Sequence, residues 1–170
     1  MRCYPNASLF QLLCLWLTLA CCQAAPVTIG QIRADIKSLA KTTMTRIAQQ
    51  HFPAVNTRIA GLEFIPEDLP ALNLRAIGKT LETFNQVLSN LPLHEPLNQI
   101  PYDLENLWSL LNLLHTRLQC PAAGHSVTDL LPPQKNLLAA TPYTSTAVTL
   151  HRLQNILQII ANAANTMQQC

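Results

Sequence analysis

Residues 144–170 read TSTAVTLHRLQNILQIIANAANTMQQC. No proline interrupts the run, and Leu150, Leu153, Leu157, Ile160, Ala164 and Met167 recur at steps of three and four. That spacing lines one side of an α-helix. A second apolar row, Val148, Ile156, Ile159 and Ala163, widens the sector beyond what a surface helix needs. Such a helix is expected to be buried on more than one side. The stretch closes on a cysteine, Cys170.

The rest of the chain repeats the pattern. Prolines are absent from residues 28–51, 71–91 and 102–119 and cluster between them. A proline in a helix interior costs about 3 kcal/mol, so this segregation predicts three more helices. The second carries Leu74, Ile77, Leu81, Phe84, Leu88 and Leu91, and the third Leu104, Leu107, Leu111, Leu114 and Leu118. The first is weaker, with Ile32, Ile36, Leu39, Ala40, Met44, Ile47 and Ala48. Pro101 suits a first helical turn, with Asp103 and Glu105 near the positive end of the helix dipole. Thr144 or Ser145 is expected to cap the fourth helix.

Residues 1–24 have the form of a secretory signal peptide. Arg2 precedes an apolar run over 12–20, and small residues follow at Cys21, Cys22, Ala24 and Ala25. The apolar run of about 11 residues is too short to span a bilayer. Cleavage after Ala24 leaves a domain of residues 25–170, and no membrane insertion is expected after it. Four of the six cysteines leave with the leader, so Cys120 and Cys170 remain. In an exported chain a single pair has one connectivity, and a disulfide is the expectation. The sole N-glycosylation sequon, Asn6-Ala7-Ser8, leaves too.

Composition narrows the function classes. Hydrophobic residues make up 49% and charged residues only 12%, against the roughly 25% charge of an average domain. That much apolar material excludes disorder. A net charge of +2 excludes a nucleic-acid partner on electrostatic grounds. Asparagine and glutamine, 12 and 13 of them, must supply the wet surface instead. Four glycines leave little for a phosphate-cradling loop, and the five histidines show no metal-ligand spacing, so no metal or cofactor is expected. Asp103 and Glu105 lie two apart and point to different helix sides, unlike a catalytic pair. Nothing resembles a nucleophile elbow, and no enzyme is read here.

Connection lengths constrain the topology. The links span residues 52–70, 92–101 and 120–143. A 20-residue helix is roughly 30 Å long, and extended chain covers about 3.3 Å per residue. The first and last links can run the length of a bundle, while the middle one, stiffened by Pro92, Pro96 and Pro101, joins neighbours. Long, short, long predicts an all-α, up-up-down-down four-helix bundle with two long crossovers and one disulfide. The cysteines agree: Cys120 ends the third helix and Cys170 the fourth, so they meet only if both point the same way.

Four islands carry a family likeness: Gly61-Leu-Glu-Phe-Ile-Pro66, Asp103-Leu-Glu-Asn-Leu107, Thr45-Arg-Ile47 and Arg152-Leu-Gln154, in that spacing and with a terminal cysteine. They resemble the leptin family of long-chain helical cytokine hormones. The resemblance implies a secreted monomer that binds a class I cytokine receptor ectodomain, the leptin receptor, and signals through Janus kinases in energy balance and appetite. It assigns one receptor surface to Leu62, Glu63, Phe64 and Ile65 with Thr144 and Ser145. It assigns a larger one to Asp35, Ser38, Lys41, Thr42, Arg46, Gln99, Asn106 and Leu110. The chain departs from the family pattern at Ser109, commonly an acid, and Trp108, usually a charge. From composition alone, Leu62, Phe64 and Ile65 read either as an anchor cluster or as side chains tucked into the bundle. Trp108 is open in the same way between interface and partial burial. The rival function is a secreted helical lipid carrier, suggested by leucine-rich faces and low charge. Exchangeable lipid binders flank the apolar face with basic residues, and here only Arg117 and Arg152 stand in the last two helices.

Overall fold

The computed structural model describes residues 27–50, 59–121, 129–167 and 170. The leader expected over residues 1–24 lies outside these, as do residues 52–58 of the first crossover and 122–128 of the second. Helix α1 spans Ile29–Ala48, and Thr28 caps it by accepting the Gln31 N–H on Oγ1 at 3.2 Å. Helix α2 spans Leu74–Ser89, with Asn73 Oδ1 accepting the Ala76 N–H at 2.7 Å. A single 3-10 turn, Leu97–Gln99, leads into α3, Ile100–Arg117. The short α4, Pro132–Ala140, precedes α5, Pro142–Ala163, which tightens into a last 3-10 turn over Ala164–Thr166. No strand occurs among the described residues.

The four long helices occupy the four proline-poor stretches, with two informative shifts. α3 and α5 begin earlier than expected because each accepts a proline, Pro101 and Pro142, in its first turn. The N–H missing there has no intrahelical partner in any case. Thr141 is therefore the residue before α5, and Thr144 and Ser145 lie inside the helix instead of capping it. The addition is α4, where the second crossover coils over Pro132–Ala140. Its start is held by Gln134 Oε1, which accepts the Leu131 N–H at 2.8 Å.

One core runs through the molecule. Ile32, Ile36 and Ala40 of α1, Ile77 and Phe84 of α2, Leu107 and Leu114 of α3, and Leu153, Ile156, Leu157 and Ile160 of α5 are all completely buried. α1 packs on α3 and α5, while α2 packs on the same two helices. α5 is the most enclosed: every residue from Ser145 to Leu150 is buried, as the double apolar row predicts. Leu138 of α4 adds a fully buried side chain beside it.

Three ties join helix ends. Arg33, near the start of α1, donates from Nη2 to the Met167 carbonyl beyond α5 at 2.6 Å. Arg46, near the end of α1, pairs through Nε with Asp103 Oδ2 in the first turn of α3 at 3.0 Å. Cys120 is disulfide-bonded to Cys170, 50 residues on. Closing a loop of that length contributes roughly 4 kcal/mol by restricting the unfolded chain.

Leu157 and Ile160 lie mid-helix at zero exposure. Either changed to Ala should lower unfolding free energy by about 2–5 kcal/mol in denaturant titration. A loss under about 0.5 kcal/mol would be that of a surface position and would contradict this packing.

Candidate functional site

The first crossover approaches the bundle as two consecutive tight turns. The Leu62 N–H donates to the Ile59 carbonyl and the Ile65 N–H to the Leu62 carbonyl, each at 3.2 Å. Gly61 sits at φ +90°, and a Cβ there would meet Leu137 Cδ2 of α4 at 2.8 Å. The positive φ favours glycine here, and any Cβ would also push the end of the Leu137 side chain aside. The turns sort the four expected contact residues. Leu62 and Ile65 point inward at 1% exposure, Phe64 is half-buried, and Glu63 is exposed.

A buried arginine holds this arrangement. Arg152 of α5 donates from Nη1 to the Leu62 carbonyl at 2.9 Å and to the Ile65 carbonyl at 2.7 Å. Its guanidinium stitches the last helix to a loop 90 residues earlier and satisfies two carbonyls. Glu63 completes the local electrostatics. The backbone N–H groups of Glu63 itself and of Gly61 hold its carboxyl below the ordinary glutamate value, and the Arg152 charge adds to this. A carboxylate that accepts amide hydrogen bonds favours its ionised form.

The start of α5 joins the same surface through α4. Thr141 Oγ1 donates to the Leu137 carbonyl at 3.0 Å, so the Ser145 hydroxyl, 3.1 Å away, is left to donate to Thr141. The Ser145 carbonyl in turn accepts from Thr149 Oγ1 at 2.6 Å. Ser145 is completely buried in this chain of hydroxyls, whereas Tyr143 and Thr144 face outward. Leu137 touches both halves, Gly61 on one side and Thr141 on the other. The outward-facing members of this expected surface are thus Glu63, Thr144 and part of Phe64. Leu62, Ile65 and Ser145 stand behind them.

The larger expected surface falls on α1 and α3. Asp35, Ser38, Lys41 and Thr42 are exposed on α1, and Asp35, Ser38 and Thr42 follow helical spacing. Gln99 and Asn106 are exposed at and along α3, with Leu110 half-buried. Arg46 sits where these two rows meet, and its guanidinium is already engaged by Asp103, whose side chain is 7% exposed. Asp103 thus does more than mark a helix start. The available signal was its place on the apolar stripe, four residues before Leu107. Arg152 was legible in the same way, four residues from both Val148 and Ile156 in an apolar row. Trp108 is half-buried and lies against α2, where a Cβ on Gly78 would sit 3.9 Å from its indole. No group of three or more His, Cys, Asp or Glu side chains could hold a metal ion among the described residues. No helix among them is long and apolar enough to cross a membrane.

Comparison with known proteins places these features in a lineage. The family model described as Leptin matches residues 28–170. Leptin of the water buffalo, Bubalus bubalis, is 38% identical over 161 residues, covering 93% of each chain. Mouse (Mus musculus) leptin is 37% identical over 165 residues, covering 95% of this chain and 97% of its own. Dog (Canis lupus familiaris) leptin is 37% identical over 161 residues, again 93% of each.

Arg152→Ala should strand the Ile65 carbonyl, leave the Leu62 carbonyl with only the Ile65 N–H, and cost about 1–3 kcal/mol of stability. Amide exchange should rise across residues 59–66 before it rises in α5, and a uniform loss of protection would contradict the clamp. For Glu63 the sign follows from its lowered folded pKa. Its contribution is present above the ordinary glutamate value and is lost as pH falls through the folded value. Followed by the carboxyl carbon shift in NMR, Glu63 should titrate below the ordinary range, and Glu63→Gln should abolish this acid-side loosening of the turn. Titration in the ordinary range would refute the assignment.

Proposed function

The chain belongs to the leptin family, and from that premise we propose that it is a secreted hormone that activates the leptin receptor. This is a class I cytokine receptor, and the signal passes through its Janus kinases in energy balance and appetite. The leader over residues 1–24 is cleaved on export, and the free hormone is a monomer. The helices form an up-up-down-down bundle. Arg46 at the end of α1 pairs with Asp103 at the start of α3, Arg33 at the start of α1 reaches the end of α5, and the disulfide joins the ends of α3 and α5. Each tie supports that topology.

Two surfaces have distinct roles in this reading. Asp35, Ser38, Lys41, Thr42, Arg46, Gln99, Asn106 and Leu110 supply affinity for one receptor chain. Glu63, Phe64 and Thr144 complete the active assembly, with Leu62, Ile65 and Ser145 holding them in place from the buried side. The observation that carries the reading is the Arg152 clamp, whose two hydrogen bonds to the Leu62 and Ile65 carbonyls hold the turn that carries Glu63 against α5. A receptor contact on a pinned loop loses less conformational entropy on binding than one on a free loop. The lipid-carrier alternative needs apolar faces that open to lipid. Here they pack into one core, and the disulfide ties two of the helices that would have to separate.

The test uses only residues that are not fully buried. A variant carrying Glu63→Ala, Phe64→Ala and Thr144→Ala should bind the receptor ectodomain within about threefold of the parent, a change under about 1 kcal/mol. Its signalling in receptor-expressing cells should collapse, and it should antagonise the parent, with helicity and melting temperature retained. A folded variant that signals normally refutes the second surface. A folded variant that loses binding and signalling together moves these residues to the affinity surface.

A further inference from the structure

The affinity surface proposed on α1 and α3 has little apolar substance. Among its residues only Leu110 is apolar, and Arg46 is already engaged by Asp103. Exposed charges and amides contribute modestly, because binding exchanges their bonds to water for similar bonds to a partner. Tight interfaces rest instead on a few large side chains, tyrosine prominent among them, that become fully desolvated.

α3 carries two such side chains. Six large hydrophobic residues are exposed among the described residues, and two of them, Tyr102 at 61% and Leu113 at 37%, stand on this helix. Val27, Leu72 and Leu131 lie outside the helices, and Tyr143 is in the first turn of α5. Single exposed apolar residues are ordinary, so the spacing decides. Tyr102 and Leu113 are separated by three full turns plus about 20°, and so share one line roughly 16 Å long. Asn106 lies about 40° round from Tyr102 and Leu110 about 80°. None of the four is charged.

The fold turns this strip outward. Leu107, Leu111 and Leu114 fill the core side of α3. Asp103 is held toward α1 by Arg46 at 3.0 Å, which leaves Tyr102, about 100° away, facing solvent. Leu110 is half-buried against the core and gives the strip a packed base.

We propose, with the receptor reading as premise, that Tyr102 and Leu113 are the anchors of the affinity surface. The partner face they fit is a part of the receptor ectodomain with two apolar recesses roughly 16 Å apart. Covering the strip dehydrates no ion. The tyrosine ring adds apolar area while its hydroxyl can keep a hydrogen bond. Both side chains stand on a packed helix, so little backbone freedom is lost on binding. Asn106 and the polar row of α1 then form the rim that sets register.

Surface plasmon resonance of the full secreted chain on the receptor ectodomain tests this. Tyr102→Ala and Leu113→Ala should each weaken binding at least about tenfold, mainly through faster dissociation, at unchanged helicity and melting temperature. Tyr102→Gln and Leu113→Gln carry the same expectation should an alanine variant lose helicity. The loss should persist at high salt, where exposed charges are screened. Tyr102→Phe keeps the ring and should bind within about threefold of the parent. Leu72→Ala, which removes an exposed leucine ahead of α2, should also stay within about threefold. If Asn106→Ala and Leu110→Ala weaken binding while the Tyr102 and Leu113 variants do not, the anchors are wrong and the receptor surface stands. A parent that fails to bind the ectodomain refutes the receptor reading and the anchors with it. A parent that self-associates in sedimentation, and that Leu113→Ala makes monomeric with receptor affinity retained, assigns the strip to a second copy and overturns the proposal.

Discussion

A single guanidinium determines what the first crossover can present. Arg152 is 8% exposed, so it is removed from water, and it is compensated by the Leu62 and Ile65 carbonyls and by the nearby Glu63 carboxylate. A buried cation without such partners would be strongly disfavoured. The same bonds that satisfy the arginine choose which way each loop side chain faces. Leu62 and Ile65 turn into the core, and Glu63, between them, is left outside with its carboxylate on its own turn's amides. The loop could not relax without stranding the charge.

The same logic of few, well-placed charges recurs elsewhere. With charged residues at 12% of the chain, there is little surface ion pairing to average over, and two further polar ties sit at helix ends. Arg46 with Asp103 and Arg33 with the Met167 carbonyl orient α1 against its neighbours. The disulfide limits the unfolded ensemble. The apolar core supplies the driving force in between, with α5 as its centre because both of its apolar rows find partners.

α3 is the helix that divides the molecular surface. Its inner stripe of Leu104, Leu107, Leu111 and Leu114 belongs to the core. One flank, with Asn106 and Leu110, borders α1, and the other, with Glu105, Trp108 and Ser109, borders α2. A period of 3.6 residues gives adjacent positions along this one helix to different neighbours. The glycine at Gly78 leaves room for the Trp108 indole to lie against α2.

The sequence alone determined what repeats locally. Proline segregation and the three-four spacing marked the four long helices, and the two apolar rows of residues 148–163 marked the central one. The pair Cys120 and Cys170 needed only counting. Family membership was likewise legible in short islands and was borne out along residues 28–170. Where local pattern and neighbour disagreed, only the tertiary structure decided. A four-residue run such as Leu62, Glu63, Phe64 and Ile65 is too short to carry a period, so its facing waited on an arginine 90 residues away. Ser145 was read as a cap. It became a buried link because Pro142 began the helix a turn earlier. Asp103 was read as a helix-start charge, and its counter-ion lies 57 residues back on α1. Helical periodicity is written within a few residues of chain. The partner of a buried charge is set by packing between elements far apart in sequence, and no local pattern contains it.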